Sequence, residues 1–309
     1  MRDMFAKLPA AVRVPLVMLL IAASTVVHTL PLFVVALLRW LLPGAAGRAC
    51  GRALVRLAES WIAVNAALVR GFTPAVLQVD GGEGLRADGH YLVLANHQSW
   101  VDIIVLQTVL NRRMPFMRFF LKRQLIWVPL LGLAWWALDF PFMRRASRRE
   151  LARRPELARR DMEATRRACA RFKGMPVAIM NFVEGTRFTV DKHRRQASPY
   201  AHLLKPKAGG VGFTLEAMDG ALHSVVDVTI AYPAGIPTLL DLVAGRIPAV
   251  AVRIRERPIP ADLQGVAYED DPQARVRVQR WINAMWVDKD ADLDSLLDPA
   301  RDAMAATAG

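Results

Sequence analysis

The chain has 309 residues, 53% of them hydrophobic, and its 41 basic and 28 acidic side chains leave a net charge of +13. An apolar excess joined to a basic excess suits an anionic lipid surface and argues against a nucleic-acid partner; the plain alternative is a solvated basic face. Two distant cysteines, Cys50 and Cys169, indicate neither a disulfide framework nor a thiolate metal site, and they fit a reducing cytoplasm.

From Val14 to Leu38 no side chain is formally charged. That run exceeds the ~20 residues needed to cross a bilayer core, and it is too long for the apolar part of a cleaved signal peptide. A retained anchor over residues 1–45 is expected. His28 and Pro31 interrupt it, so a straight helix, a kinked span and a hairpin lying in one leaflet all fit. Arg39, Arg48, Arg52 and Arg56 make the C-terminal flank the more basic one, which places the main domain, residues 46–309, on the cytoplasmic side. The location expected is a membrane, the bacterial inner membrane, entered integrally or from one side.

Arg48 to Val69 reads as a helix, with Leu54, Leu57, Trp61, Val64 and Leu68 near helical spacing. Val76 to Val79 and Tyr91 to Ala95 read as strands, and Trp100 to Leu110 as a helix. Met114 to Met143 is rich in Phe and Trp but broken by Pro129, Gly132 and Pro141. It suits either the headgroup level of a membrane or a buried core. Five arginine doublets run from Arg144 to Arg167, and the second half of that run has the period of an amphipathic helix; its arginines face either lipid headgroups or water. Pro176 to Phe182, Val225 to Tyr232 and Val250 to Ile254 complete the strands. A polar helical region follows Asp262, with Trp281, Met285 and Trp286 on one face. Strands alternating with helices predict an α/β fold with a mostly parallel central sheet flanked by helices.

Two strand ends carry the chemistry. Asn96-His97-Gln98-Ser99-Trp100-Val101-Asp102 leaves the second strand, where α/β sheets place ligands. His97 falls in the loop, and Asp102, about one turn into the helix, reaches back to brace the imidazole as it takes a proton. Bare His-x4-Asp arises by chance in roughly one chain in three of this length, so alone it is balanced by a structural histidine. Glu184-Gly185-Thr186-Arg187 leaves a later strand, and a given tetrapeptide arises by chance in fewer than about one chain in a hundred. Gly185 permits a tight turn, Thr186 adds a hydroxyl, and Arg187 offers a fork of donors to phosphate. Glu184 would repel an anion, so it is expected to orient the loop. No cluster of metal ligands appears, and neither G-x-S-x-G nor H-E-x-x-H occurs. Lys205 to Gly210 reads first as a turn before the next helix, and second as a loop near the substrate.

These two blocks resemble the first and third signature blocks of the glycerolipid acyltransferase family, in its 1-acylglycerol-3-phosphate O-acyltransferase and lysophospholipid acyltransferase branches. Lys122-Arg123-Gln124-Leu125 through Gly132, then Phe142 to Arg145, resembles the second block. The resemblance covers about Tyr91 to Tyr232. It implies that His97 deprotonates an acceptor hydroxyl, that Asp102 supports it, and that Arg187 holds a phosphate with help from Lys122 and Arg145. It implies a lysophospholipid acceptor, most simply 1-acylglycerol-3-phosphate, in phospholipid synthesis or remodelling. The acyl thioester donor, on coenzyme A or acyl carrier protein, is a co-substrate; no bound cofactor is implied. The fourth block departs from the common pattern, having Asp227 to Ala231 before Tyr232-Pro233 where many members have a proline inside the strand; it looks more like the lysocardiolipin branch. Backbone N–H groups beside His97 are the expected oxyanion hole. Two other readings compete: a non-catalytic lipid-binding protein of the membrane surface, and a His/Asp hydrolase.

Overall fold

The computed structural model describes residues 8–143 and 174–298, with 163, 166, 169, 170 and 172 between them. Helix α1 (Ala10–Leu41) runs unbroken through Pro15 and Pro31. The chain then reverses at Pro43 and Gly44, where a left-handed φ of +66° makes the sharp turn that glycine tolerates. Helix α2 (Gly44–Phe72) packs back along α1, so the N-terminal unit is a helical hairpin. Among the described residues α1 is the one helix long and apolar enough to cross a membrane.

The central sheet follows from the apolar runs. Strands β1 (Val76–Gly81), β2 (His90–Ala95), β3 (Met117–Phe119), β6 (Val177–Phe182), β7 (Ser224–Ala231) and β8 (Ala249–Pro258) lie in the order β1-β8-β7-β2-β6-β3. All neighbours are parallel except β7 and β8, which run antiparallel. The sheet is therefore mostly parallel, as the alternation of elements predicts. Its faces separate by the two-residue period of a strand. Leu92 and Leu94 enter one core; Tyr91, Val93 and Ala95 enter the other. Helix α3 (Val101–Leu110) covers the second face, and α6 (Gly209–Met218) and α8 (Pro272–Leu297) cover the first.

Strand β8 extends past the Ile254 end expected from its apolar run, because Arg253, Arg255 and Arg257 alternate along it. They project toward α8, pairing with Asp292 (from Arg253 and Arg255, at 2.9 and 2.5 Å) and with Asp288 (from Arg257, at 2.7 Å). A strand whose outer face meets charged helix residues does not read as apolar. The Met114–Met143 stretch resolves into β3, a small two-stranded ladder of β4 (Leu121–Lys122) and β5 (Phe142–Met143), a single 3-10 turn, and α4 (Leu131–Ala137). Part of it is core: Phe116, Ala134, Ala137, Leu138 and Phe140 pack with Leu32 and Leu54 of the hairpin. Part is bare, with Trp127 85% and Trp136 56% exposed. The segment is thus part core and part exposed aromatic surface.

The remaining helices, α5 (Val190–Gln196) and α7 (Leu239–Val243), are short. The arginine doublets other than Arg166, and the apolar positions Leu157, Met162 and Thr165, lie outside the described residues. Of that run, Cys169 and Phe172 are buried in the main core and Arg166 pairs with Glu216.

Candidate active site

Strands β2, β6 and β7 end side by side, with Ala95 opposite both Phe182 and Val228. The loops leaving them therefore meet at one edge of the sheet. Asn96 fastens the first of these to β7: its side chain donates to the Ile230 carbonyl at 2.8 Å and accepts from the Ile230 N–H at 2.9 Å. Burial of Asn96 makes those two bonds difficult to exchange for water.

His97 follows directly. Its Nδ1 lies 2.8 Å from Asp102 Oδ2, and its ring lies flat on Phe182 with centroids 3.9 Å apart and 13° between planes. The Asp102 side chain is 1% exposed, that of His97 13%. Asp102 Oδ2 also accepts the backbone N–H groups of Gln98 at 2.6 Å and Ser99 at 2.8 Å, while Oδ1 accepts the Tyr232 hydroxyl at 2.6 Å. With Nδ1 donating to a carboxylate, Nε2 carries the lone pair that takes a proton. One expectation needs correcting here: the Gln98 and Ser99 N–H groups are committed to Asp102, so these neighbours of His97 do not form an oxyanion hole.

The second loop lies against the first. Gly185 closes a tight turn, its N–H on the Phe182 carbonyl at 2.9 Å and its φ at +68°. The Phe188 N–H donates to the His97 carbonyl at 2.7 Å, and the Arg187 guanidinium stacks over the Trp100 ring at 4.8 Å. Those two contacts tie the histidine block to the arginine block. Lys192 on α5 donates to Thr186 Oγ1 and to the Arg187 carbonyl, both at 2.8 Å, so Thr186 is held from behind. Lys207 lies beside Gly185, and its N–H bonds the Val183 carbonyl at 2.9 Å. The 205–210 segment is thus both the turn before α6 and a neighbour of the arginine loop. Arg187 and Lys207 are exposed at this edge.

Glu184 takes a different place from its neighbours. It is fully buried, and among the described residues no side chain hydrogen-bonds its carboxylate oxygens. Burial pushes its carboxyl well above the ordinary range, with the His97 backbone N–H and Lys289 opposing more weakly. A raised carboxyl contributes stability that is complete below its unfolded pKa and is lost as pH rises toward the folded one. Glu184→Gln, which cannot ionise, should therefore gain melting temperature over the wild type at pH 8 and gain little at pH 5. Thermal unfolding in detergent at both pH values measures this; a pH-independent difference would mean that the carboxyl ionises inside the fold.

Lys122 is not drawn into this group. It lies exposed on β4, where Leu121 and Lys122 pair with Phe142 and Met143 of β5. Arg145 lies outside the described residues. Sequence spacing includes Phe182 only as part of a motif, assigns no role to Tyr232 or Lys192, and places Lys207 in a segment that fits either a turn or a loop near the substrate. A basic residue five positions after Arg187 was the available signal for Lys192. Among the described residues no group of His, Cys, Asp and Glu could hold a metal ion.

The Acyltransferase family model matches residues 76–234, from β1 through the loop after β7. This chain belongs to the acyltransferase family. It is 24% identical over 215 residues to mouse 1-acyl-sn-glycerol-3-phosphate acyltransferase gamma, covering 65% of this chain and 52% of that protein. It is 27% identical over 252 residues to zebrafish lysocardiolipin acyltransferase 1, covering 77% of this chain and 60% of the relative. The chain spans about half the length of the first of these curated relatives. The crystal structure of the 1-acyl-sn-glycerophosphate acyltransferase PlsC from Thermotoga maritima superposes with a TM-score of 0.52, at 17% identity, over 89% of this chain and 97% of that one. That likeness concerns the fold. In this acyltransferase-family chain, the matched segment contains both the histidine and the arginine blocks.

Proposed function

We propose that this protein transfers a fatty acyl group from an acyl thioester to the free hydroxyl of a lysophospholipid, with 1-acylglycerol-3-phosphate as the leading acceptor. The observation that carries this is the His97–Asp102 pair, 2.8 Å apart, beside a loop that presents Arg187. No serine or cysteine nucleophile is needed, because the acceptor supplies its own hydroxyl. His97 Nε2 takes the hydroxyl proton as the oxygen attacks the thioester carbonyl. The tetrahedral oxyanion collapses, the C–S bond breaks, and the thiolate leaves with the proton from the imidazolium. Ester and thiol are the products. Asp102 holds the ring and stabilises the imidazolium; a positioned base supplies ~10²–10⁴-fold and orientation of two bound reactants several kcal/mol more.

Arg187 is the group we assign to the acceptor phosphate, with Lys207 beside it. Arg187→Lys keeps the charge and loses the planar fork. The KM for a phosphorylated acceptor should rise ~10-fold while the donor KM changes little; equal rises in both would argue for a purely structural arginine. The defining experiment incubates purified protein with a panel of lysolipids and a labelled thioester, on coenzyme A in one arm and on acyl carrier protein in the other. Appearance of diacyl lipid supports transfer. Free fatty acid alone would mean hydrolysis, and no turnover of any lysolipid would leave a lipid-binding protein.

The same reading puts the protein at a membrane, lying on one leaflet. Helix α1 is ~48 Å long at 1.5 Å per residue, and both its ends are held by the globular part. Arg13 donates to the Ala244 carbonyl, and Val17 packs with Phe72 and Val243. At the other end Arg39 pairs with Asp139 at 2.7 Å. A helix fastened at both ends to one domain does not carry that domain's chain across a bilayer. Its exposed Leu19, Val26, Leu30, Val34, Leu37 and Leu41 recur along one face, which suits burial among acyl chains. Anionic headgroups fit the net charge of +13.

A further inference from the structure

We propose that Tyr232 is a positioning residue for the proton transfer at His97, acting through the second oxygen of Asp102. This inference rests on the reading of His97 as the base. Tyr232 is the first residue after β7, is 3% exposed, and donates its hydroxyl to Asp102 Oδ1 at 2.6 Å. The other oxygen, Oδ2, serves His97 and two backbone N–H groups. The carboxylate is thereby held along both edges, and its plane cannot turn about χ2 without breaking a bond. Held so, Oδ2 keeps the imidazole in one tautomer and one orientation.

The segment carrying Tyr232 is itself fixed to the histidine loop at both ends. Before it, Ile230 exchanges two hydrogen bonds with the Asn96 side chain. After it, Ser99 Oγ donates to the Pro237 carbonyl at 2.5 Å. Residues 232–237 thus form a brace behind the pair, with the phenol at its centre. Burial pushes the phenol's ionisation far above its usual value, and the neighbouring Asp102 charge adds to this, so it remains a donor wherever the protein is folded.

The bond also sets charge. A donor on Oδ1 draws off part of the negative charge that Oδ2 offers to the imidazolium. The other ionisable groups around the pair are Glu184 from the loop after β6, and Lys289 of α8 and Lys192 of α5, which act on Glu184; Arg187 lies over Trp100. None of these hydrogen-bonds Asp102, so among the described residues Tyr232 is the side chain besides His97 that does.

Tyr232→Phe removes the hydroxyl and keeps the ring. It is expected to lower kcat by ~10–100-fold, the range of a hydrogen bond to a charged group, with both KM values within about twofold of wild type. The acidic limb of the kcat/KM–pH profile should move to higher pH, because an Asp102 without its second donor holds the imidazolium proton more tightly. A purely structural tyrosine would lower the melting temperature and leave kcat and the limb where they were; that result overturns the proposal. If Tyr232→Phe does not fold, 3-fluorotyrosine at 232, a stronger donor of nearly the same shape, should move the limb to lower pH, and an unmoved limb overturns the proposal equally. His97→Ala is run alongside. An active His97→Ala would defeat the general-base reading itself, whereas an inactive one with an unaffected Tyr232→Phe would defeat the tyrosine alone.

Discussion

His97→Ala is expected to lower acyl transfer by ~10³-fold or more, with substrate binding retained, because the acceptor hydroxyl loses the group that takes its proton. The histidine side chain is only partly buried, against Phe182, so the fold should survive and melting temperature should change by a few degrees. Asp102 separates two effects that the histidine variant cannot. In Asp102→Asn the amide oxygen can take the Oδ2 place, accepting from Gln98, Ser99 and His97, while the amide nitrogen donates to the Tyr232 oxygen. The heavy-atom geometry is kept, the charge is lost, and the buried Tyr232 O–H gives up its acceptor. We expect ~10²–10⁴-fold lower kcat with a smaller loss of stability than in Asp102→Ala. Asp102→Ala instead strands two backbone N–H groups and a buried phenol, at about 1–3 kcal/mol for each left unpaired. It should be inactive and also less stable by about 3 kcal/mol or more. Kinetics and denaturant unfolding on all three proteins check this. An Asp102→Asn variant with wild-type kcat would refute the charge argument.

The second large effect concerns stability. On β7, Asp227 belongs to the face that α8 covers, and Lys289 of α8 is fully buried against it. The ammonium lies 2.5 Å from Asp227 Oδ1 and also donates to the Val228 carbonyl at 2.7 Å and to Thr229 Oγ1 at 3.2 Å. Arg257 approaches the same carboxylate at 3.4 Å. Lys289→Met leaves the buried carboxylate with Arg257 and the more remote Arg255, and removing one partner of a buried pair costs about 3–5 kcal/mol. Adding Asp227→Val should recover most of the loss, since apolar groups of similar size replace such pairs at little cost. Unfolding of the single and double variants measures both values. A loss below about 1 kcal/mol in Lys289→Met would show that Arg257 suffices.

Much of the scaffold is legible in the chain. Tyr91–Ala95 is apolar without interruption, and Val177–Phe182 and Val225–Ala231 are broken only by Asn181, Asp227 and Thr229, because each lies inside the sheet with both faces covered, and burial on two sides leaves little choice of residue type. Three features escaped for the same physical reason: their partners are distant in sequence. The second half of β8 reads as polar until α8 supplies Asp288 and Asp292. Strand β3 has three residues and is defined by pairing with β6. The surroundings of Lys122 on β4 are set by pairing with Phe142 and Met143 of β5, which spacing within the second signature block does not give.

By itself the sequence determined that apolar strands alternate with helices, that residues 14–38 carry no charge, and that His97 and Asp102 stand about one helical turn apart. Those are local properties, set by burial pattern and by the pitch of a helix. Only the tertiary structure decided that the Arg187 loop lies against the His97 loop, that Gln98 and Ser99 spend their N–H groups on Asp102, and that Tyr232, 130 residues further on, completes that carboxylate's contacts. Parallel pairing of β2 with both β6 and β7 brings three strand ends to one edge, and no stretch of sequence read alone contains that adjacency.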